Sequence, residues 1–431
     1  MRGALALIAA VLAAGAAWTL WPSQPVTVIE RSTWTEAELA SPTLIERGRY
    51  LATLGNCQGC HSVRGAAPYA GGTPLRTAFG TVFGPNLTPS PQGLGAWSVD
   101  DFWRALHHGQ RPDGQLLTPV FPYPNTTHIS RADSDALYSY LRSLPPDATP
   151  NKAHELAWPY NTQVALKVWR ARYFTPATPA DAPSTAGADP TARGRYLVSG
   201  LAHCSACHAP RDVWGGGQDL LALSGGVMSS GWYAPSLLDP REAGLQNFSL
   251  QQITELLGQG RSGQHGVSGP MADVVADSMR HWKPDDLQAL AMYLQSLPTE
   301  ITVHAPSGAA SVNSNRRAMG AKLYEKHCAA CHGDNGEGYT LANGQVAYPA
   351  LSGQRTVAMN SSANLAHIVM DGGFGVASAH EPRPFGMPPF VQTLTDTELA
   401  ALLTYLRSAW GNNAPEVTDL ELHRLRESAT R

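Results

Sequence analysis

Charge is scarce in this 431-residue chain. Asp, Glu, Lys and Arg together make up 15% and the formal net charge is −3, so the strongly basic face that nucleic acid requires is missing. Disorder is excluded as well, because 43% of the residues are hydrophobic. Methionine is absent from most of the first half, with none between Met1 and Met228. No cysteine stands alone, since all six fall into close pairs. What the chain has in quantity is Gly (41) and Pro (33), which implies much loop between short elements. Its length calls for several domains rather than one core.

The pairs are Cys57-Gln58-Gly59-Cys60-His61, Cys204-Ser205-Ala206-Cys207-His208 and Cys328-Ala329-Ala330-Cys331-His332. Each has two residues between its thiols and a histidine directly after. Structural zinc would need two pairs converging on one ion, which three pairs so far apart in sequence fit poorly. A thioredoxin-like motif would need a βαβ context that is not visible. Disulfides would leave the histidine after every pair unexplained. The pattern is that of covalent haem attachment, in which one helical turn presents two thiols to the haem vinyls and the next histidine reaches the iron. Cys57, Cys60, Cys204, Cys207, Cys328 and Cys331 are therefore expected to hold three haem c groups, with His61, His208 and His332 as proximal iron ligands.

Ala4 to Trp21 is an apolar run without charge, preceded by Arg2 and ended by Pro22. It is near the lower length limit of a membrane-spanning helix, and Trp18 and Trp21 suit an interface. A retained anchor is favoured over a cleaved signal ending near Ala14-Gly15-Ala16. Either reading places the remaining chain outside the cytoplasm.

One unit is written three times. Each opens on a short helix containing a glycine (Gly48, Gly194, Gly320), whose missing side chain allows a close helix crossing. Each continues through a proline loop: Gly84-Pro85-Asn86-Leu87, Tyr233-Ala234-Pro235-Ser236 and Tyr348-Pro349-Ala350-Leu351. Middle helices are expected from Ser98 to Gly109, from Ser249 to Gly260 and from Asn364 to Gly372, with Ser98 and Ser249 as N-caps. Closing helices follow from Asp133, Asp285 and Asp396, with apolar residues at spacings of three and four. The expected divisions are 1–40 (anchor or signal and linker), 41–150, a connector at 151–185, 186–300, a linker at 301–315, 316–415 and a tail at 416–431. The aromatic and basic segment 158–174 reads as a packed connector, or else as a surface for a membrane or partner.

A second axial ligand must come from the far side of each unit, and a methionine thioether there raises the potential. In the third unit Met387 lies in Pro384-Phe385-Gly386-Met387-Pro388. In the second, Met271 lies in Ser268-Gly269-Pro270-Met271, with Met279 as its rival. Counting from Gly109, Gly260 and Gly372 places Phe121 where the first unit should have its ligand. His128, His107 and His108 are alternative ligands there, and an open iron is another. His128 also matches His281 by position, which favours a structural role.

These stretches resemble the three-haem cytochrome c subunits of bacterial membrane-bound periplasmic dehydrogenases. The resemblance is carried by residues 80–89, 202–211, 231–235, 268–272 and 404–412. It implies a mainly α fold of three tandem cytochrome c-like domains, each a small helical fold around a covalent haem, after an N-terminal membrane helix. It also implies a non-catalytic electron-transfer subunit on the periplasmic side of the inner membrane. Such a subunit passes electrons from a catalytic dehydrogenase subunit of molybdenum, quinone or flavin type to membrane ubiquinone, in some cases with an additional small subunit. Met271 and Met387 fall on the family's ligand positions. Relatives with phenylalanine at the position of Phe121 resemble those serving molybdenum hydroxylases, which leans the reading toward an aldehyde- or alcohol-oxidising complex. A peroxidase-like enzyme built on a first haem without methionine is the alternative.

Overall fold

The computed structural model describes residues 15, 30–178, 189–301, 313–377 and 384–430. The expected anchor, Ala4 to Trp21, lies outside the described residues except for Gly15. Most of the 301–315 linker also lies outside them. Among the described residues no helix is long and apolar enough to cross a membrane.

Helices dominate. The opening helices are Pro42–Leu54, Pro190–Tyr196 (continued by a π-helical turn, Leu197–Leu201) and Ser314–His327. The middle helices are Val99–His108, Leu250–Gln259 and Ala363–Asp371. The closing helices are Arg131–Arg142, Pro284–Ser296 and Asp396–Ser408. Ser98 and Ser249 each form a capping box, with Asp101 and Gln252 returning the hydrogen bond. That satisfies backbone N–H groups that have no partner within the first helical turn. Gly109 and Gly260 end these helices in the left-handed region, where glycine has no Cβ to clash. The third middle helix starts at Ser362 without a side-chain cap, so only its register matches the others.

Glycine sets the crossing of opening on closing helix in each repeat. A Cβ on Gly48 would lie 1.8 Å from the Ala136 carbonyl oxygen, one on Gly194 2.0 Å from that of Ala289, and one on Gly320 2.1 Å from that of Ala401. The Cβ atoms of Tyr140, Tyr293 and Tyr405 close the other side, at 2.8, 2.7 and 2.7 Å. Only a residue without a side chain fits between them.

The chain divides into two compact units. One comprises the described parts of Met1–Gly187 with Tyr196–Ala206 and Arg211–Leu221; the other comprises those of Ala188–Arg195, Cys207–Pro210 and Ala222–Arg431. In the first unit a short antiparallel hairpin, Pro74–Thr77 with Gly80–Phe83, takes Glu155–Leu156 as a third strand. Helix Gln163–Tyr173 in the connector buries Trp169, which packs with Tyr123, Leu220 and Phe121. The connector is therefore held inside this unit on one face, while Trp158 and Val168 remain exposed on another.

In the second unit the third repeat forms a core from Tyr324, Val357, Leu365, Val369, Met370, Leu399, Leu402 and Leu406, among others. The segment expected as a tail contributes to it. Helix Asp419–Thr430 buries Leu422 completely, and Glu421 accepts a hydrogen bond from the Ser362 hydroxyl. The tail reading missed this because the helix has a weakly apolar face that is legible only beside its partner.

Candidate haem sites

The first pair lies on a one-turn helix, Cys57–His61, entered through Asn56 in the left-handed region. Cys204 precedes the turn Ser205–His208, and Cys328 is the N-cap of Ala329–His332. Thiols three apart on such a turn share a face, as two bonds to one flat group require. In each pair the first cysteine is the more shielded and the second is exposed. Burial, with Cys60 adding to it, pushes the Cys57 thiol up to about 12, and burial with Cys331 pushes Cys328 up to about 11. Such thiols stay protonated at neutral pH. Among the described residues no group of three or more His, Cys, Asp or Glu is arranged to hold a metal ion.

All three motif histidines make one and the same bond. His61 Nδ1 lies 2.8 Å from the Pro85 carbonyl oxygen, His208 Nδ1 2.7 Å from that of Pro235, and His332 Nδ1 2.9 Å from that of Pro349. A carbonyl can only accept, so Nδ1 carries the proton and donates, and the Nε2 lone pair is left for a metal. Burial holds each imidazole below its ordinary value, opposed by that proline carbonyl. The neutral, ligating form is thereby favoured. These residues fit a haem iron bound through Nε2 and two thioethers on the preceding turn. The sequence had marked the proline loops as repeats without disclosing their task. A carbonyl leaves no signature in the side-chain alphabet, and only their fixed place in the repeat pointed to them.

Of the two candidate methionines, Met387 is half-buried in a short antiparallel pair, Gly373–Phe374 with Gly386–Met387, and packs on the third-repeat core. Met271 sits in the first turn of helix Pro270–Asp277, because Pro270 at the first helical position starts a helix there. Met279 is only 6% exposed, in the 3₁₀ turn Met279–His281, as befits a core filler.

The first unit has Phe121 in a turn, half-buried against Tyr123, Trp169 and Leu220. Tyr173 and Phe174 complete an aromatic wall, and Arg170 stacks on Tyr123 and Phe174 while donating to the His108 carbonyl. His128 lies against Gly200 of the second opening helix. His107 Nε2 is 3.0 Å from the Ala177 carbonyl oxygen, its ring stacks on Trp103, and its buried Nδ1 has no hydrogen-bond partner. Burial, with the neighbouring charges of His107, Arg170 and Arg104, pushes His108 down to about 4.

The cytochrome c family profile matches residues 45–145 and 318–410, which include the first and third motifs. The chain is 35% identical over 405 residues to the cytochrome c subunit of an alcohol dehydrogenase (quinone) from Gluconobacter oxydans (strain 621H), covering 90% of this chain and 84% of that protein. It is also 35% identical over 409 residues to a gluconate 2-dehydrogenase cytochrome c subunit from Pantoea cypripedii, covering 91% of each. A nicotinate dehydrogenase subunit from Pseudomonas putida is 34% identical over 398 residues, which span 91% of this chain but 32% of that longer protein.

Proposed function

This chain belongs to the cytochrome c subunits of membrane-bound dehydrogenases and is an electron-transfer protein, and from that premise we propose that it carries three covalent haems on the periplasmic side of the inner membrane. The repeated bond from histidine Nδ1 to a proline carbonyl carries this reading, because the second motif, which the family profile does not cover, has the same prepared imidazole as the other two. His61, His208 and His332 would hold the irons from one side, with Met271 and Met387 on the other side of the second and third. A methionine ligand raises a haem potential, so the first haem would be the low-potential member. Electrons would enter from a catalytic dehydrogenase subunit and leave to ubiquinone. The relatives' names include alcohol and nicotinate dehydrogenases. With Phe121 in the first unit, this leans the assignment toward an alcohol- or aldehyde-oxidising complex, including a partner of the molybdenum type.

Purification of the chain with its membrane partner, followed by addition of alcohols, aldehydes, sugar acids and nicotinate, tests this. Haem reduction by one of these substrates is the expected result. Haems that stay oxidised with all of them would remove the reading.

A second reading rests on Phe121, which puts no ligating atom where the repeats have methionine. The first haem would then take an external ligand, as a peroxidase-like enzyme does. Carbon monoxide binding to the reduced protein, compared with Cys57→Ala, decides between the two. Rapid binding that the substitution abolishes favours an open first iron.

A further inference from the structure

Residues 232–235 of the second repeat make four contacts within the second unit that no role assigned so far requires together. At one end the Pro235 carbonyl oxygen accepts from His208 Nδ1 at 2.7 Å, on the proximal side of the second haem. At the other end the Trp232 ring lies over Gly269, where a Cβ would come within 2.5 Å of the indole. Gly269 is two residues before Met271, the residue assigned above to the other face of that haem. Between these ends, the Asn364 side chain holds the Tyr233 backbone with both of its polar atoms. Oδ1 accepts from the Tyr233 N–H at 2.9 Å and Nδ2 donates to the Tyr233 carbonyl at 2.8 Å. Asn364 belongs to the third middle helix. One turn along that helix, His367 stacks on Trp232 with ring centroids 4.9 Å apart and planes 16° from parallel.

His367 is an unusual residue to bury. It is 1% exposed, its Nδ1 lies 3.2 Å from the Asp371 carboxylate, and its Nε2 has no hydrogen-bond partner. The carboxylate can only accept, so Nδ1 donates to it, and Nε2 stays buried without a partner. A leucine would fill the space without that cost, since leaving a buried acceptor unsatisfied is unfavourable. A flat π-system parallel to the indole is what histidine supplies there and leucine does not. The same helix ends at Gly372, directly before Gly373, which pairs with Met387 of the third site. Trp232 therefore touches the turn that precedes Met271 and, through His367, the helix whose backbone runs on to the strand paired with Met387.

Resting on the electron-transfer reading above, we propose that the stacked Trp232–His367 pair is the electron conduit between the second and third haems, with Asn364 as the clamp that sets its contact. Electronic coupling between two redox centres falls with every through-space gap, and parallel rings in van der Waals contact remove the gap at the point where one repeat gives way to the next. With both haems bound, the pair would carry a single electron between them, with no bond made or broken and no proton transferred.

The full three-haem chain, its haems reduced by a flash-excited ruthenium polypyridyl complex, tests this. Inter-haem equilibration is followed by absorbance and magnetic circular dichroism in wild type, Trp232→Leu and Trp232→Phe, and the potentials and methionine–iron absorption are recorded for each. The expected result is transfer between the second and third haems slowed about tenfold or more in Trp232→Leu, largely retained in Trp232→Phe, with potentials and methionine–iron absorption unchanged in both. Equal rates in Trp232→Leu and wild type overturn the proposal. Slowing that comes only with loss of the methionine–iron absorption overturns it too, because Trp232 would then be a support for Met271. If Trp232→Leu does not mature, Asn364→Ala takes its place. Slower transfer with intact potentials supports the conduit there, and an unchanged rate refutes it. A wild-type chain whose haems never exchange electrons would instead bring down the electron-transfer reading itself.

Discussion

Replacing Gly194 by alanine gives opposite expectations from the helix alone and from the packed structure. Within an isolated helix, alanine is better than glycine by about 1 kcal/mol. In the folded chain the new Cβ would meet the Ala289 carbonyl oxygen at 2.0 Å and the Tyr293 Cβ at 2.7 Å. Carbon and carbonyl oxygen approach comfortably only to about 3.3 Å, so the two helices must part by about 1.3 Å. Neither obstacle can rotate away, since one is helix backbone and the other a Cβ fixed to it. Overpacking costs about 1–3 kcal/mol, and an obstacle of this kind belongs at the upper end. After the propensity gain, a net loss of about 2 kcal/mol remains. In a compact unit of this size, within the range of about 150–250 residues, that lowers the melting point by about 4–8 °C. Gly48→Ala and Gly320→Ala, with the corresponding contacts at 1.8 and 2.1 Å, should behave alike. Thermal melts of the haem-loaded protein, followed in the far ultraviolet and in the haem band, supply the measurement. Any of the three variants melting at or above wild type would refute the reasoning, because propensity would then have outweighed the crossing.

Phe121→Met should supply the first haem with a thioether, raising its potential and abolishing carbon monoxide binding there. Redox titration is the discriminating assay. Met271→Ala should lower the potential of the second haem and open it to carbon monoxide, whereas Met279→Leu should leave both unchanged; the reverse pattern would transfer the ligand role to the core methionine. His108 is held down to about 4 from an ordinary 6.5, so it is neutral in the folded state while the unfolded chain takes up a proton. Its contribution to stability is complete above about 6.5 and is lost as pH falls toward about 4, so His108→Gln should flatten that part of a stability–pH curve. Identical slopes for the two proteins would count against it.

Much of the scaffold was legible because its signals are local. Ser98 with Asp101 and Ser249 with Gln252 are three apart, and a capping box needs nothing from the rest of the chain. Gly48, Gly194 and Gly320 stood out because a repeated glycine in a helix contradicts propensity unless something packs against it. Other features had no local signal. The short strand pair that holds Met387 joins residues 373–374 to 386–387 and has no period to read. Helix Asp419–Thr430 looked like a tail because its buried leucine is recognisable only against Ser362 and the third-repeat core. The aromatic wall around Phe121 gathers Trp169 and Leu220 from distant parts of the sequence.

By itself, the sequence determined where the thiol pairs lie, which histidine follows each of them, and that the first unit lacks a methionine. Those are facts of covalent order, and chemistry reads them without a fold. Tertiary structure decided how each histidine is held, through a proline carbonyl that fixes the proton on Nδ1 and leaves the Nε2 lone pair available to a metal. It also decided that Trp232 and His367, 135 residues apart, lie ring on ring. Hydrogen-bond direction and ring stacking are properties of distance and angle, and those exist only once the chain has closed on itself.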